Sequence, residues 1–371
     1  MLNTKPEKKL GFGLMRLPKL EDDSIDIEQV KTMVDEFIAA GGTYFDTAYV
    51  YGNGASEEAA REALVKRYPR DSFTIATKLN AMVANDEADA KAQFGVSCER
   101  LGVDYIDFYL LHNLNEGTVE LYDRYNLWEY LRELKAEGKI KNLGFSYHGK
   151  PALLRELFET HPEVDFCQLQ VNYADWNDNN VCSGENVSVC NEFGIPYVVM
   201  EPVKGGSLAA PPEPVSVVFT AADANASLPS WAIRFAASQE GVLVVLSGMS
   251  NKAQMEDNLS YMAEFKPLST EENEVVARAQ AAFDQIEQIK CTACSYCTDG
   301  CPMSIPIPAT FTAMNRYLIW DNLDGAKDKY ARETEGKGLA SQCIQCGQCE
   351  AACPQHLPII ELLQKVAETL E

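Results

Sequence analysis

The sequence predicts an α/β fold, an eight-stranded parallel (β/α)8 barrel followed by a small, mostly helical module. Three observations carry this. Strand-like and helix-like segments alternate from residue 10 to about residue 265; eight strand-like runs fall within that stretch; and eight of the twelve cysteines lie after residue 290, where the composition changes sharply. Strands that alternate with helices build right-handed βαβ units and a parallel sheet. Eight such units in about 260 residues match the size of a TIM-type barrel.

In chain order the β-rich runs are Leu10–Met15, Tyr44–Ala48, Phe73–Lys78, Tyr105–His112, Ile140–Tyr147, Phe166–Asn172, Tyr197–Glu201 and Val242–Ser247. Between them apolar residues recur at helical spacing in Val30–Ala40, Glu57–Arg67, Leu127–Glu137, Pro151–His161 and Pro229–Ser238. A doubly wound sheet is the competing arrangement, but no strand leads into a G-x-G-x-x-G turn. Gly11-Phe12-Gly13 lacks the third glycine and the helix after it. Ser207–Ser227, rich in proline and alanine, reads as a long loop after the seventh strand. Ser269, with Glu271 and Glu272 in the first turn, opens a helix expected to run to the first clustered cysteine. The expected domains are therefore 1–267, a connecting helix over 268–290, and 291–371.

Composition narrows the partners. The 371 residues are 46% hydrophobic and 23% charged, which excludes disordered and fibrous classes. A net charge of −23 repels phosphate backbones and anionic lipid, so neither nucleic acid nor a membrane surface is an expected partner. No apolar run approaches the roughly 18 residues needed to span a bilayer. The lysines near the N-terminus are followed by no hydrophobic segment, and the expected location is the cytoplasm.

The late cysteines form a repeat. Cys291-x2-Cys294-x2-Cys297-x3-Cys301-Pro302 recurs as Cys343-x2-Cys346-x2-Cys349-x3-Cys353-Pro354. Four thiolates within eleven residues, ending in Cys-Pro, form the bacterial ferredoxin run for [4Fe–4S] clusters, whose fourth cysteine ligates the other cluster. Two [4Fe–4S] clusters are expected, one on Cys291, Cys294, Cys297 and Cys353, the other on Cys343, Cys346, Cys349 and Cys301. Structural zinc would leave the third cysteine of each run and both Cys-Pro endings unexplained. The insert Ala309–Ala340 carries helical patterns, so this ferredoxin-like module should be mostly helical. Cys98, Cys167, Cys182 and Cys190 share no ligand spacing and read as buried, inert thiols.

Catalytic groups of a parallel barrel stand at the carboxyl ends of its strands. Three successive strands end in titratable residues, Asp46, Lys78 and His112, and Tyr51 follows Asp46 by five residues. Singly, each has a plain reading, a solvated lysine at a strand end or an aspartate capping a turn. Together they resemble the catalytic residues of the aldo-keto reductases, and that resemblance implies carbonyl reduction, which needs a hydride on carbon and a proton on oxygen. A tyrosine, with a pKa of about 10, is a poor acid near neutrality. A neighbouring Lys78 cation is expected to lower that value, Asp46 to hold the lysine charged and placed, and His112 to hydrogen-bond the carbonyl oxygen.

These residues resemble a family. Gly42-Thr43-Tyr44-Phe45-Asp46-Thr47-Ala48 with Tyr51-Gly52 is similar to the aldo-keto reductase pattern. Asp46, Tyr51, Lys78 and His112 match its catalytic tetrad in order and approximate spacing. Gly144-Phe145-Ser146, Gln168, Pro202 and Gln254 to Asn258 match further, over residues 10 to about 262. With the cysteine repeat, the chain resembles bacterial aldo-keto reductases that carry a C-terminal two-cluster ferredoxin domain. The resemblance implies an NAD(P)H-dependent oxidoreductase that interconverts a carbonyl and an alcohol, with Tyr51 as proton donor. It implies nicotinamide extended across the barrel mouth, over Gly13, Leu14, Met15, Arg16, Asp46, Ser146, Gln168, Met200, Glu201, Pro202, Ser247, Gly248 and Met249. Gln254, Asp257 and Asn258 would meet the adenine end.

The chain departs from that pattern at four places. Met200-Glu201-Pro202 stands where members stack a tyrosine followed by Ser-Pro; Met15 replaces an aromatic; Tyr147 stands where an asparagine holds the carboxamide; and Gln254 fills an arginine slot near Lys252. Preference for NADPH is therefore not supported. Substrate specificity would reside in Asn113–Asn126, Ala174–Val187 and Ser207–Ser227. The clusters would exchange electrons with a ferredoxin- or flavodoxin-like carrier or act as structure. The alternatives are a redox enzyme assisted by a flavin, which no sequence fingerprint indicates, and a non-catalytic electron-transfer or regulatory subunit, against which the intact tetrad argues.

Overall fold

Alternation along each strand decides which side chains fill the barrel and which face the helices. The structure is a computed structural model that describes the chain apart from Met1, Thr4, Lys5, Asn180, residues 292–294, Asp299 and Pro354. Of the residues singled out above, Cys294 and Pro354 lie outside the described residues. Eight strands close into one parallel barrel in chain order: β1 (Leu10–Gly13), β2 (Tyr44–Asp46), β3 (Thr74–Leu79), β4 (Ile106–Leu114), β5 (Ile140–Tyr147), β6 (Phe166–Gln170), β7 (Tyr197–Met200) and β8 (Val242–Ser247). One parity of residues, including Tyr44, Ala76, Phe108, Leu110, Phe166 and Val198, forms an interior cluster. The other parity, including Phe45, Ile75, Tyr109, Leu111 and Phe145, packs in the layer between sheet and helices.

The interior is tight. Tyr44, Phe108 and Phe166 meet edge to face with ring centroids 5.0 and 5.1 Å apart. Gly144 on β5 makes room for Phe166, because a Cβ at that position would lie 2.5 Å from the Phe166 ring. The register aligns Asp46 with Ala76 and Lys78 with Leu110. Asp46, Lys78 and His112 thus share the inward parity of Tyr44, Ala76 and Leu110, and rise above that plug toward the carboxyl ends.

Two expectations about elements are corrected. Ser207–Ser227 is not a plain loop. It contains the end of a 3-10 segment, Lys204–Ala209, and a helix, Glu213–Ala222. Proline at the second helical position is tolerated there, and the Val215–Phe219 stretch has enough apolar side chains to bury Val215 and Phe219. The helix opened by Ser269 ends at Asp284, short of Cys291. Its start is a capping box, in which Ser269 Oγ accepts from Glu272 N at 3.2 Å and Glu272 Oε2 accepts from Ser269 N at 2.7 Å.

The chain divides into two compact units, residues 1–209 with 222–276, and residues 210–221 with 277–371. In the second, helices Ile307–Trp320, Leu323–Thr334 and Ile359–Leu370 bury Phe311, Met314, Tyr330, Leu363 and Val366 in one core. Asn315 fixes the approach to the first cysteine run by bonding both the N–H and the carbonyl of Ile289, at 2.7 and 2.8 Å.

Candidate active site

Lys78 stands at the centre of the barrel mouth, buried to 1% exposure beside Asp46 at 3%. Its ammonium donates to Asp46 Oδ1 at 2.6 Å, to the Thr47 carbonyl at 2.7 Å and to the Tyr51 hydroxyl oxygen at 3.3 Å. An ammonium has three N–H donors, so these partners use all of them. Gln168 Nε2 holds the second Asp46 oxygen at 3.1 Å. Tyr51 sits on the tight 3-10 turn Tyr51–Gly54 that follows β2, where Gly52 takes a left-handed backbone at φ 57°. The turn swings the phenol over Lys78, whose nitrogen lies 4.8 Å from the ring centroid. His112, at the inward end of β4, packs its ring at 77° to that of Tyr51 with centroids 5.8 Å apart.

The electrostatics depart from one expectation. Burial raises the Tyr51 hydroxyl above its ordinary value of 10; the Lys78 charge and hydrogen bond lower it, while Asp46 and Glu201 push it up again. The lysine therefore works as expected, but burial outweighs it and Tyr51 remains a protonated phenol. Burial would drive Lys78 toward neutrality, yet Asp46 and Tyr51 more than reverse this and hold it charged. Burial lifts Asp46, with Lys78 and Gln168 working against the lift. His112 is pushed down to about 3, by burial first and then by the charge of Lys78. Its Nδ1 is buried without a hydrogen-bond partner among the described residues.

Above this cluster opens a cavity of about 1200 Å3. Of the residues assigned to cofactor, Gly13, Met15, Arg16, Asp46, Ser146, Gln168, Met200, Glu201, Pro202, Ser247, Gly248, Met249, Gln254, Asp257 and Asn258 line it, as do Tyr51 and His112. The remaining cofactor assignment, Leu14, stands elsewhere, as do Tyr147 and Lys252, which were named only as departures from the family pattern. Leu14 is buried in the core, where its carbonyl accepts from Ser56 Oγ at 2.9 Å. Tyr147 has the outward parity and bonds the Lys150 carbonyl. Lys252 points to the surface, paired with Glu36 at 2.8 Å. Arg16 makes no ion pair among the described residues, and its side chain lies against Gly205 and Gly248. The cavity also takes in Asn113, at the start of one expected specificity segment, and Asn80, His148, Gly205 and Gly206, which the sequence reading did not single out. His148 lies two residues beyond Ser146, so the period of two was the signal that pointed to it.

In the second unit the cysteines line two hollows. Cys291, Cys297 and Cys353 face one, walled by Phe311, Leu357 and Ile359. Cys301, Cys343, Cys346 and Cys349 face the other, walled by Ile305, Ile360 and Leu363. Ile307 borders both. Soft sulfur donors in apolar walls suit iron–sulfur chemistry. In the barrel unit Cys167, Cys182 and Cys190 are buried, whereas Cys98 is half-buried with its thiol pushed up to about 11 by burial.

The sequence profile of the aldo/keto reductase family matches residues 9–281, most of the chain. The chain belongs to the aldo/keto reductase family. A 4Fe-4S dicluster domain profile matches residues 290–357. A probable aldo-keto reductase of Glycine max is 30% identical over 206 residues, covering 53% of this chain and 56% of that protein. The chain thus spans little more than half the length of that relative. Among solved structures, the holo form of an aldo-keto reductase from Bacillus halodurans superposes with a TM-score of 0.62 at 25% identity, over 75% of this chain and 95% of that one. An aldo/keto reductase from Klebsiella pneumoniae, solved with NADP and acetate, shares the fold with a TM-score of 0.58 at 20% identity, covering 73% and 90%. Among the described residues, no helix of this family member is long and apolar enough to cross a membrane.

Proposed function

We propose that this aldo/keto reductase family member reduces a small carbonyl compound to its alcohol, and runs the reverse oxidation, with Tyr51 as the acid–base residue. The observation that carries this reading is the threefold bonding of Lys78. Because the Tyr51 oxygen accepts from Lys78, its own proton is free to be donated into the cavity. A reduced nicotinamide, were it held across the mouth by Arg16, Ser247, Gly248 and Asp257, would supply the hydride. As negative charge develops on the substrate oxygen, Tyr51 gives up its proton and the phenolate left behind is held by the Lys78 ammonium. The raised pKa of Tyr51 is no obstacle, because the alkoxide formed on the substrate is a far stronger base than a phenolate. Neutral His112 can donate one hydrogen bond to the carbonyl oxygen and orient it.

Arg16, Ser247, Gly248 and Asp257 would hold the nucleotide. Lys252 is turned away and Gln254 Oε1 is occupied by Ser250 N at 2.7 Å, so neither supplies the cation that a 2′-phosphate needs. An arginine–phosphate contact is worth roughly 1.5–3 kcal/mol, about 10–150-fold. NADH and NADPH should therefore bind within about tenfold of each other in an anaerobic titration; a hundredfold preference for NADPH would show that Arg16 reaches the phosphate.

The cysteine hollows favour two [4Fe–4S] clusters, the first on Cys291, Cys294, Cys297 and Cys353, the second on Cys343, Cys346, Cys349 and Cys301. Such centres pass single electrons, and a ferredoxin- or flavodoxin-like carrier is the partner this reading names.

The deciding experiment is Tyr51→Phe, which keeps the ring and removes the hydroxyl. General acid catalysis contributes about 10²–10⁴-fold, so carbonyl reduction should fall by that order while nucleotide binding persists. Reduction at the parent rate would overturn the assignment.

A further inference from the structure

Beside the tetrad, three successive strand ends carry a row of polar side chains, of which only Glu201 was assigned to the cofactor and none takes part in the proton transfer. Glu201 follows β7, Gln170 ends β6 and His148 follows β5. Gln170 Nε2 donates to Glu201 Oε2 at 3.1 Å, and Gln170 Oε1 lies 3.2 Å from His148 Nδ1. The direction of the row is fixed at one end. An ionised carboxylate only accepts, so the amide NH2 faces Glu201, its oxygen faces the ring, and His148 Nδ1 carries the hydrogen.

Glu201 is also held by its backbone. It takes the left-handed conformation at φ 53°, which residues with a Cβ avoid. Lys204 N and Asn172 Nδ2 both donate to its carbonyl, at 3.0 and 3.3 Å, and secure that turn. The side chain lines the same cavity as Tyr51 and His112. Its charge reaches the Tyr51 hydroxyl, where it adds to the upward push on that group. Oε1 has no partner among the described residues. Lys78 has spent its donors on Asp46, Thr47 and Tyr51, and burial lowers both His112 and His148. Arg16, the cation that lines the cavity among the described residues, lies against Gly205 and Gly248, where the nucleotide is proposed.

We propose that Glu201 determines substrate specificity, accepting a hydrogen bond from a hydroxyl next to the carbonyl of a neutral substrate and repelling carbonyl compounds that carry a carboxylate there. The substrate class is then a hydroxyaldehyde or hydroxyketone. This rests on the carbonyl-reductase reading given above and adds the group that the substrate must carry.

The test compares kcat/KM of the full-length protein and Glu201→Gln for glyceraldehyde, propanal and glyoxylate, with saturating nicotinamide nucleotide. The amide oxygen of glutamine can still accept from Gln170, so the row is kept while the charge is lost. Effects common to folding and nucleotide binding cancel in the ratios. The parent should prefer glyceraldehyde to propanal by about tenfold or more, the scale of a hydrogen bond to a charged acceptor, and should disfavour glyoxylate. In Glu201→Gln the glyceraldehyde-to-propanal ratio should fall at least threefold, and glyoxylate should gain about tenfold relative to propanal. Propanal reduction with ratios unchanged by the substitution overturns the role of Glu201 and leaves the reductase reading standing. Failure of the parent to reduce any of the three overturns both.

Discussion

His112 carries an expectation that can be checked by pH alone. In the unfolded chain a histidine titrates near 6.5, whereas burial and the Lys78 charge hold His112 down to about 3. Between those values the unfolded chain binds a proton that the folded one refuses. Stability contributed by this site is therefore intact above pH 6.5 and declines as the pH falls toward 3. In catalysis the ring stays neutral across the physiological range, so kcat/KM should show no acid limb from His112 between pH 5 and 8. A limb near 6.5 that disappears in His112→Gln would refute this. At this scale the sequence was readable where a strand put residues in phase. Asp46, Lys78 and His112 follow from a period of two, and Tyr51, on a turn, needed the family pattern to place it. Tyr147, a departure from the family pattern, faces the helices for the complementary reason. It lies one residue past Ser146, and one step along a strand reverses the face. The direction of the Tyr51 shift also escaped the sequence, since burial is a property of the folded mouth and outweighs the one charge that spacing could supply.

At the scale of elements, the barrel depends on small residues where large ones cross its axis. Adding a methyl at Gly144 would bring a Cβ to 2.5 Å from the Phe166 ring and 2.7 Å from its carbonyl oxygen. Overpacking of this kind costs about 1–3 kcal/mol. Gly144→Ala should therefore lower the thermal midpoint of the barrel unit by several degrees, measured by circular dichroism, and an unchanged midpoint would mean that β5 and β6 separate there without strain. The strands themselves were legible to within about two residues, because eight apolar runs in alternation with helices leave few other arrangements. Ser207–Ser227 was not, because proline and alanine were read as loop-forming, whereas proline in the first turn is compatible with the helix Glu213–Ala222. The helix from Ser269 was announced by its cap, but its end at Asp284 has no glycine to mark it.

For the whole molecule the question is whether hydride chemistry and single-electron chemistry communicate within one chain. A hydride delivers two electrons together, and a [4Fe–4S] centre takes one. Direct exchange would pass through a nicotinamide radical, and no dinucleotide fingerprint in the sequence points to a flavin that could mediate. Adding NADH anaerobically to flavin-free protein should leave the cluster EPR signals unchanged on the timescale of turnover, and added flavin should accelerate their change. Rapid reduction by NADH alone would refute the separation.

The second unit is laced together by its own spacing. Each hollow draws on both cysteine runs, Cys353 joining Cys291 and Cys297 in one, Cys301 joining Cys343, Cys346 and Cys349 in the other, with Ile307 as a shared wall. Neither hollow can be assembled from one run alone. The chain between the runs, helices Ile307–Trp320 and Leu323–Thr334, must be folded before either set of thiolates is complete. If the two hollows hold the [4Fe–4S] clusters proposed above, metal binding and folding are a single equilibrium. A cell short of iron would hold empty and fully charged copies of this unit side by side, rather than a population of half-filled ones.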